Sequence, residues 1–269
     1  MVYERPSGWP EACEIIAEAK PCDIVFVCEH ASNYIPEEFG NLGLTPADTL
    51  RHIAWDVGAA QLTRRLASQM GAQAFLGTYS RLLLDLNRPL GSPDSIPVIS
   101  EGTAIPGNQS LSKDAVALRE RFIFMPFHDE VADYLDQRQK AGRNTKIVTI
   151  HSFTPVYLGV QRPWHIGILH GASRSYATDI LSNLRGDSSL NVTLNQPYVI
   201  SRDGDYALPV HGDDRDIEAV LIEIRNDLLA TEEAVDRMAG LLGSALSPVQ
   251  PFEAGRSNSD APLEQDMLP

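Results

Sequence analysis

The sequence is poor in cysteine, with only three among its 269 residues: Cys13, Cys22 and Cys28. A low, odd count without a Cys-x-x-Cys pair excludes a framework of disulfides. We therefore expect free thiols and a reducing, cytoplasmic location. The stretch 1–21 contains acidic residues and prolines but no apolar core, which is unlike a signal peptide.

Basic residues are also scarce. Lys and Arg together number 22 against 36 Asp and Glu, so the formal net charge is −14. Without a cluster of Lys and Arg to neutralise phosphates, the chain is not expected to bind nucleic acid. The same acidity opposes docking on anionic membranes. A small anionic substrate remains compatible with this charge, because a few arginines inside a pocket can override the global sign.

Long apolar runs are missing as well. The longest, such as 24–28 and 220–224, have the length of strands and are too short to span a membrane. Hydrophobic residues nevertheless make up 43% of the chain, enough for a sizeable core. Apolar strands that alternate with amphipathic helices predict an α/β fold with a mixed, mostly parallel sheet and helices on both faces. We expect one domain over 1–247 and a disordered acidic tail over 248–269.

Turn and capping residues divide the chain into predicted elements. Thr45-Pro46 and Ser112 are typical of helix starts, and Gly71 is typical of a helix end. The stretch 89–111 is rich in Pro, Gly and Ser, and long ordered loops are often functional. The predicted helices are 12–20, 45–70, 112–141 with a break at Pro126, 174–185 and 231–246. The predicted strands are 24–28, 72–79, 82–86, 146–150, 166–169, 192–194 and 220–224.

Two histidines follow predicted buried strands. His30 comes after strand 24–28, and His151 comes after strand 146–150. Ligands of open α/β sheets bind at the carboxyl ends of the strands, so both imidazoles are expected in one crevice. Neutral imidazole is a common zinc ligand, and a catalytic zinc ion keeps about three protein ligands. The pattern therefore predicts a zinc site, with two separately hydrogen-bonded loop histidines as the alternative.

The third metal ligand is left open by the residues alone. Asn33 lies three residues after His30, where a His-x-x-Glu metal loop has its carboxylate, but an amide is a weak ligand. Asp56 lies among apolar residues on the predicted helix 45–70. His128 lies on the next predicted helix. Each of the three also fits a local hydrogen-bonding role.

One acid lies inside a predicted buried strand. Glu223 occurs within the apolar run 220–224, where an unpaired carboxylate costs several kcal/mol. Arg225, two residues later, points to the same face of the strand. The two residues therefore form either a structural ion pair or a site in which Glu223 is the general base for an attacking water.

A dense polar set occurs around the predicted strand 82–86. Strand alternation places Arg81, Asp85 and Asn87 on one face, and Arg88 follows them. Because arginine binds a carboxylate through two parallel hydrogen bonds, the set suits an amino-acid substrate. Asn108, in the long loop 89–111, is a further candidate for the pocket wall.

Five motifs in order resemble the N-formylglutamate amidohydrolase family, over about residues 22 to 246. They are Cys28-Glu29-His30-Ala31-Ser32-Asn33 with Ile35-Pro36, Trp55-Asp56-Val57-Gly58-Ala59, Ser80-Arg81 with Asp85-Leu86-Asn87-Arg88-Pro89, His151-Ser152-Phe153 and Glu223-Ile224-Arg225. The resemblance implies a fold similar to zinc carboxypeptidases and aspartoacylases, of the phosphorylase/hydrolase-like kind. It also implies a metal-dependent amidohydrolase that cleaves the C–N bond of an N-formyl or N-acyl acidic amino acid.

The same resemblance implies roles for individual residues. His30 and His151 match zinc ligands, and Glu223 matches the base, while Asn33 and Asp56 stay candidates for the third ligand. Asn87 and Arg88 match a clamp for the substrate carboxylate. Arg81 is expected to polarise the scissile carbonyl, and Arg225 and Asn108 are further candidates for substrate binding. The chain departs from the wider superfamily at Asn33, where a glutamate is usual.

Two alternatives from other classes remain at this stage. One is a binding module that holds an acidic metabolite in the same pocket without turnover. The other is a metal-free structural protein, in which the rings of His30 and His151 lie too far apart to share one ion. The sequence does not indicate the oligomeric state.

Overall fold

A seven-stranded sheet forms the centre of the computed structural model, which describes residues 4–247. The strand order in the sheet is β1-β3-β2-β6-β11-β9-β10, and the hairpins β4-β5 and β7-β8 lie outside it. In chain order, the strands are β1 Cys13–Ile16, β2 Ile24–Cys28, β3 Gln73–Gly77, β4 Ile99–Ser100, β5 Thr103–Ala104, β6 Lys146–Phe153, β7 Val156–Tyr157, β8 Val160–Gln161, β9 Ile166–His170, β10 Val192–Leu194 and β11 Glu218–Arg225.

The central strands β3, β2, β6 and β11 are mutually parallel. β1 is antiparallel to β3 at one edge, and β9 is antiparallel to β11 towards the other. The predicted mixed, mostly parallel sheet is therefore confirmed. β2 is buried along its whole length because both faces of the sheet are covered, which explains its unbroken apolar sequence.

Helices cover both faces of this sheet, as predicted. Helices α1, α4 and α5 pack with Phe26, Val148 and Ile222 on one face. Helix α3 packs with Val25 and Leu221 on the other. The helices are α1 Ala59–Met70, α2 Lys113–Arg119, α3 Met125–Lys140, α4 Arg174–Leu184 and α5 Glu232–Leu246. A π-helical turn over Glu120–Phe124 separates α2 from α3, so the break predicted near Pro126 is present.

Two predicted elements are wrong. The predicted helix 12–20 contains strand β1 instead, because Cys13–Ile16 pairs with β3 at the sheet edge. The predicted strand 82–86 is a series of turns. Its leucines are buried, but its carbonyl groups are satisfied by side chains: Asn108 Nδ2 donates to Leu82 O and Arg119 Nη1 donates to Leu83 O.

The predicted helix 45–70 begins only at Ala59. Gly58 precedes it with φ 85°, and a Cβ at this position would lie 2.4 Å from Leu229 Cβ. The backbone N–H of Asp56 donates to His30 O at 2.9 Å. Asp56 therefore lies in a loop bound to the end of β2 instead of on a helix. Gly71 ends the helix in the left-handed conformation, as predicted.

The remaining predictions about chain organisation concern membrane spans, the number of domains and the tail. Within residues 4–247, no helix is long and apolar enough to cross a membrane. One domain over 1–247 stays a prediction. The predicted acidic tail 248–269 lies outside the described residues.

Candidate active site

A cavity of about 350 Å³ lies at the carboxyl ends of β2, β6 and β11. Glu223 on β11 is the register partner of His151 on β6, and both side chains line the cavity. The predicted site residues that line it are His30, Asp56, Arg81, Asn87, Arg88, His151 and Glu223. Those that do not are Asn33, Asn108 and Arg225.

Three buried side chains converge in the cavity: His30, Asp56 and His151. Their candidate ligand atoms all lie within 4.8 Å of one another. The Nδ1 atoms of His30 and His151 lie 3.4 and 3.0 Å from Asp56 Oδ2. Two ligand atoms, each about 2.1 Å from a tetrahedral zinc ion, would lie roughly 3.4 Å apart. The spacing therefore suits one divalent ion, and His30 Nδ1 has no hydrogen-bond partner.

The far nitrogens of both imidazoles are held by carboxylates. His30 Nε2 lies 2.7 Å from Asp85 Oδ1, and His151 Nε2 lies 3.0 Å from Glu29 Oε2. An Nε2–H that donates to a carboxylate leaves Nδ1 with a free lone pair directed at the centre of the site. Histidines that bind metal are usually oriented by such a second carboxylate. The arrangement therefore fits a metal centre better than two independent structural histidines.

The charges in this cluster favour a cation between the imidazoles. Burial opposes a charge on His151, but Glu29 and Asp56 outweigh it and raise the pKa of this imidazole well above its usual range. Burial is likewise outweighed at Asp56, where the histidines hold the pKa of the carboxyl well below its usual range. Carboxylates that attract a proton to this position would equally attract a metal ion.

Glu223 is the buried acid of the site. Burial raises the pKa of its carboxyl to about 7, and Oε2 has no hydrogen-bond partner. Arg225 does not pair with it, because the Arg225 guanidinium binds Asp227 through Nε at 2.7 Å and Nη2 at 3.1 Å. The structural Glu–Arg pair considered from the sequence is therefore absent, and Arg225 lies outside the cavity.

Arg81 connects the carboxylates of Asp56 and Asp85 to the cavity. Its Nη2 and Nε donate to Asp85 Oδ2 at 2.8 and 3.1 Å, and its Nη1 donates to Asp56 Oδ1 at 3.3 Å. Arg81 is therefore already bound to two acids, one of which belongs to the His–Asp–His group, and it also lines the cavity.

Asn87 and Arg88 anchor a loop on the cavity wall. Asn87 Oδ1 accepts hydrogen bonds from the backbone N–H groups of Tyr206 and Ala207, at 3.2 and 3.0 Å. Arg88 Nη1 lies 3.3 Å from Asp205 Oδ1. Both residues line the cavity, so their predicted contact with substrate is compatible with this anchoring role.

Comparison with known proteins places the chain in a family. The sequence model of the N-formylglutamate amidohydrolase family matches residues 22–230, which include every predicted site residue. The chain belongs to this family. The crystal structure of gene product Atu2144 from Agrobacterium tumefaciens is 40% identical, with a TM-score of 0.84, over 88% of this chain and 95% of that one.

A second solved structure, an N-formylglutamate amidohydrolase from Ralstonia eutropha, is 17% identical to this chain. It covers 88% of this chain and 96% of its own length with a TM-score of 0.65, a likeness that shows the shared fold. Among curated protein sequences, none is significantly similar. As a member of the N-formylglutamate amidohydrolase family, the protein is a hydrolase that acts on C–N bonds other than peptide bonds. The predicted family and enzyme class are confirmed.

Three candidates in this amidohydrolase have local structural partners instead of facing the cavity. Asn33 Nδ2 donates to Thr49 O at 2.9 Å, so its amide faces the loop that follows. Asn108 Nδ2 donates to Leu82 O and Pro97 O, at 2.7 and 2.8 Å. His128 Nδ1 lies 2.9 Å from His211 Nε2. Of the three residues considered for the third ligand position, only Asp56 lies beside His30 and His151.

Glu29 was not singled out from the sequence. It precedes His30 directly, and its side chain is buried against His151. An acid at the end of a buried strand was the available signal, because such a carboxylate needs a partner. That partner is His151 on strand β6, which is 122 residues away from Glu29 in the sequence.

A buried imidazole pair outside the cavity predicts an acid-sensitive fold. His128 Nε2 lies 2.9 Å from Leu86 O, and His128 Nδ1 faces His211 Nε2. Burial lowers the pKa of His211 to about 4, with Arg215 adding to the effect, and lowers the pKa of His128 well below its usual range. As the pH falls from about 6.5 towards 4, the unfolded chain therefore takes up protons that the folded chain excludes.

We expect the free energy of unfolding to be unaffected by this pair above about pH 6.5. Below it, the pair should lower that free energy by about 1.4 kcal/mol per pH unit for each histidine. Urea unfolding at several pH values would measure the slope. Replacing both His128 and His211 by Gln should make the slope shallower, and an identical slope in that double variant would contradict the assignment.

Proposed function

We propose that the protein removes the formyl group from an N-formyl acidic amino acid such as N-formylglutamate, with one zinc ion held by His30, Asp56 and His151. The observation that carries this proposal is the buried His–Asp–His group together with Glu223, whose carboxylate oxygen Oε2 has no hydrogen-bond partner. The family membership and the name of the Ralstonia eutropha relative support the formylated substrate.

The metal would be held by Nδ1 of His30, Nδ1 of His151 and Oδ2 of Asp56, which already lie close together. A bound zinc ion would polarise the scissile carbonyl and lower the pKa of the attacking water. Glu29 and Asp85 keep both imidazoles oriented, because they accept from the far nitrogens. Their role is to fix the ligand geometry before substrate arrives.

Glu223 is the proposed base. Its Oε2 takes a proton from the water that attacks the formyl carbon, and the carboxyl then returns this proton to the amide nitrogen as the C–N bond breaks. Formate and the free amino acid leave. The carboxylate suits this exchange because Glu223 lines the cavity and its Oε2 forms no hydrogen bond with another group of the described residues.

Arg81 and Arg88 supply positive charge for an anionic substrate. Arg81 contacts Asp56 at 3.3 Å, and this nearness to the proposed metal ligand supports its assignment to the scissile carbonyl and the neighbouring carboxylate of the amino acid. Arg88, with Asn87, lines the cavity near Asp205. The proposal also includes one zinc ion, a small anionic substrate and a cytoplasmic location. The three free cysteines support this location, because the cytoplasm is reducing.

The two alternatives account for less of the site. A metal-free structural protein would keep the two imidazoles apart, whereas their ring centroids lie 4.8 Å from each other. A binding module without turnover would not need a buried carboxylate at Glu223 whose Oε2 has no hydrogen-bond partner, and such a carboxylate costs stability. Family membership also favours the enzyme.

We expect zinc-loaded protein to release formate from N-formylglutamate and a chelator to abolish this release. The test is an assay of formate and acetate release over N-formyl and N-acetyl amino acids, with N-formylleucine, whose side chain is uncharged and of similar size, as the control. N-formylleucine should be turned over more slowly, because it offers no side-chain carboxylate to the arginines. Zinc-loaded protein that releases formate or acetate from none of the acidic substrates would overturn the proposal.

A further inference from the structure

Arg162 is a buried arginine without a counter-charge. Only 8% of its surface is exposed, and no carboxylate in the described part of the chain forms an ion pair with it. Its Nη2 donates to the Tyr198 hydroxyl at 2.9 Å, while its Nη1 has no hydrogen-bond partner. An unpaired buried charge is costly, so a protein that retains one is expected to use it.

The other strongly buried arginines are held differently. Arg119 Nη1 donates to Leu83 O and to Asn108 Oδ1, at 2.9 and 2.7 Å. Arg138 Nη2 donates to two backbone carbonyls, and its Nη1 lies 3.6 Å from Glu18 Oε1. Their bonds tie separate chain segments together. The Arg162 side chain donates instead to a phenol, and it ties no backbone carbonyl of the described residues.

The guanidinium of Arg162 lies directly behind the cavity wall. Its Cζ is 4.4 Å from the ring centroid of Tyr157 and 5.0 Å from that of Tyr198, and both tyrosines line the cavity. The hairpin β7-β8 positions it, because Arg162 N donates to Pro155 O at 2.8 Å. The rings hold the cation in place without neutralising it.

A close approach of two backbones brings Tyr198 to this wall. A Cβ at Gly167 would lie 1.7 Å from Gln196 O, so only glycine allows the loop to cross the end of the sheet there. Gly167 is also the register partner of Glu223 on β11. The loop that contacts Arg162 therefore crosses next to the proposed base.

We propose that Arg162 acts through the cavity wall: its charge and its hydrogen bond to the Tyr198 hydroxyl favour a side-chain carboxylate of the acidic substrate beside Tyr198, and thereby select glutamate-like over glutamine-like amino acids. This inference rests on the proposed function. Arg81 and Arg88 already pair with carboxylates of the protein, whereas no carboxylate of the described residues pairs with Arg162, and its buried Nη1 has no hydrogen-bond partner. Arg162 makes no ion pair with Asp56, unlike Arg81, so it suits the carboxylate further from the scissile bond.

The test compares Arg162→Met with the wild type in two measurements. Calorimetric titration with L-glutamate, a product of the proposed reaction, should show binding weakened by about 10- to 100-fold in Arg162→Met. Binding of L-glutamine should change little. In turnover of N-formylglutamate and N-formylglutamine, the variant should raise KM for the first substrate, leave kcat nearly unchanged, and lose the preference between the two.

Matched variants separate this role from a structural one. Arg185→Met, at the exposed end of α4, should leave the glutamate-to-glutamine ratio unchanged. Arg162→Met itself should unfold at the same temperature as the ligand-free wild type or higher, because it removes an unpaired buried charge. If Arg162→Met does not fold, Arg162→Lys is tested in its place. Lysine keeps the charge but lacks the planar fork of arginine, so the preference for glutamate over glutamine should be smaller than in the wild type without being lost.

The outcomes distinguish the two proposals. An unchanged glutamate-to-glutamine ratio in Arg162→Met, or in Arg162→Lys where that variant decides, would overturn the role of Arg162 while formate release by the wild type still upheld the proposed function. Binding of L-glutamate that depends on Arg162, in protein that releases no formate, would uphold the carboxylate site and overturn the proposed reaction.

Discussion

Glu223→Gln should lower kcat for N-formylglutamate by roughly 100- to 10,000-fold while the protein stays folded. The amide has the shape of the carboxyl but cannot accept a proton from the attacking water. Folding should be preserved because Oε2 of Glu223 has no partner to lose, and because burial already disfavours the charged carboxylate. Formate release, circular dichroism and zinc content would be measured on the same preparation, and zinc content should be unchanged.

Glu218→Gln is the matched control for this variant. Glu218 lies at the other end of β11, is exposed and pairs with Lys146 at 2.7 Å. A surface pair of this kind contributes at most about 1 kcal/mol, so turnover should remain at the wild-type level. If Glu223→Gln retains full turnover, another group must accept the proton and the assignment of the base is wrong.

Asp56→Asn should weaken zinc binding by at least about 100-fold, and turnover should fall with it. An outer-shell change at a metal site costs about 10- to 100-fold in affinity, and a direct ligand is expected to cost more. Asp56 Oδ2 is the atom on which both Nδ1 atoms converge, so an amide there removes the negative charge at the centre of the cluster. Zinc per chain, measured after competition with a chelator, gives the result.

Asn33→Ala provides the comparison that separates the two candidate ligands. The Asn33 amide donates to Thr49 O, away from His30 and His151, so its loss should leave the zinc content unchanged. The reverse pattern, with zinc lost in Asn33→Ala and kept in Asp56→Asn, would show that Asn33 is the third ligand.

Local sequence was sufficient where an element is determined by its own residues. The apolar strand β2 and the helix α5, with Thr231 capping the Ala234 N–H, were predicted because burial and capping act over a few residues. The predicted strand 82–86 was wrong for the converse reason. A run of leucines shows that the segment is buried, but distant groups such as the Arg119 side chain decide how its carbonyls are satisfied.

The sequence by itself determined the strand ends that carry His30, His151 and Glu223, because a polar residue at the end of or inside a buried strand is visible in the order of residues. Only the tertiary structure decided which side chains meet them. Asp56 reaches the histidines because Gly58 ends its loop in a left-handed conformation against Leu229. Arg162 stands behind the cavity wall because a hairpin and a distant loop pack together, and such contacts depend on long-range packing that no local pattern encodes.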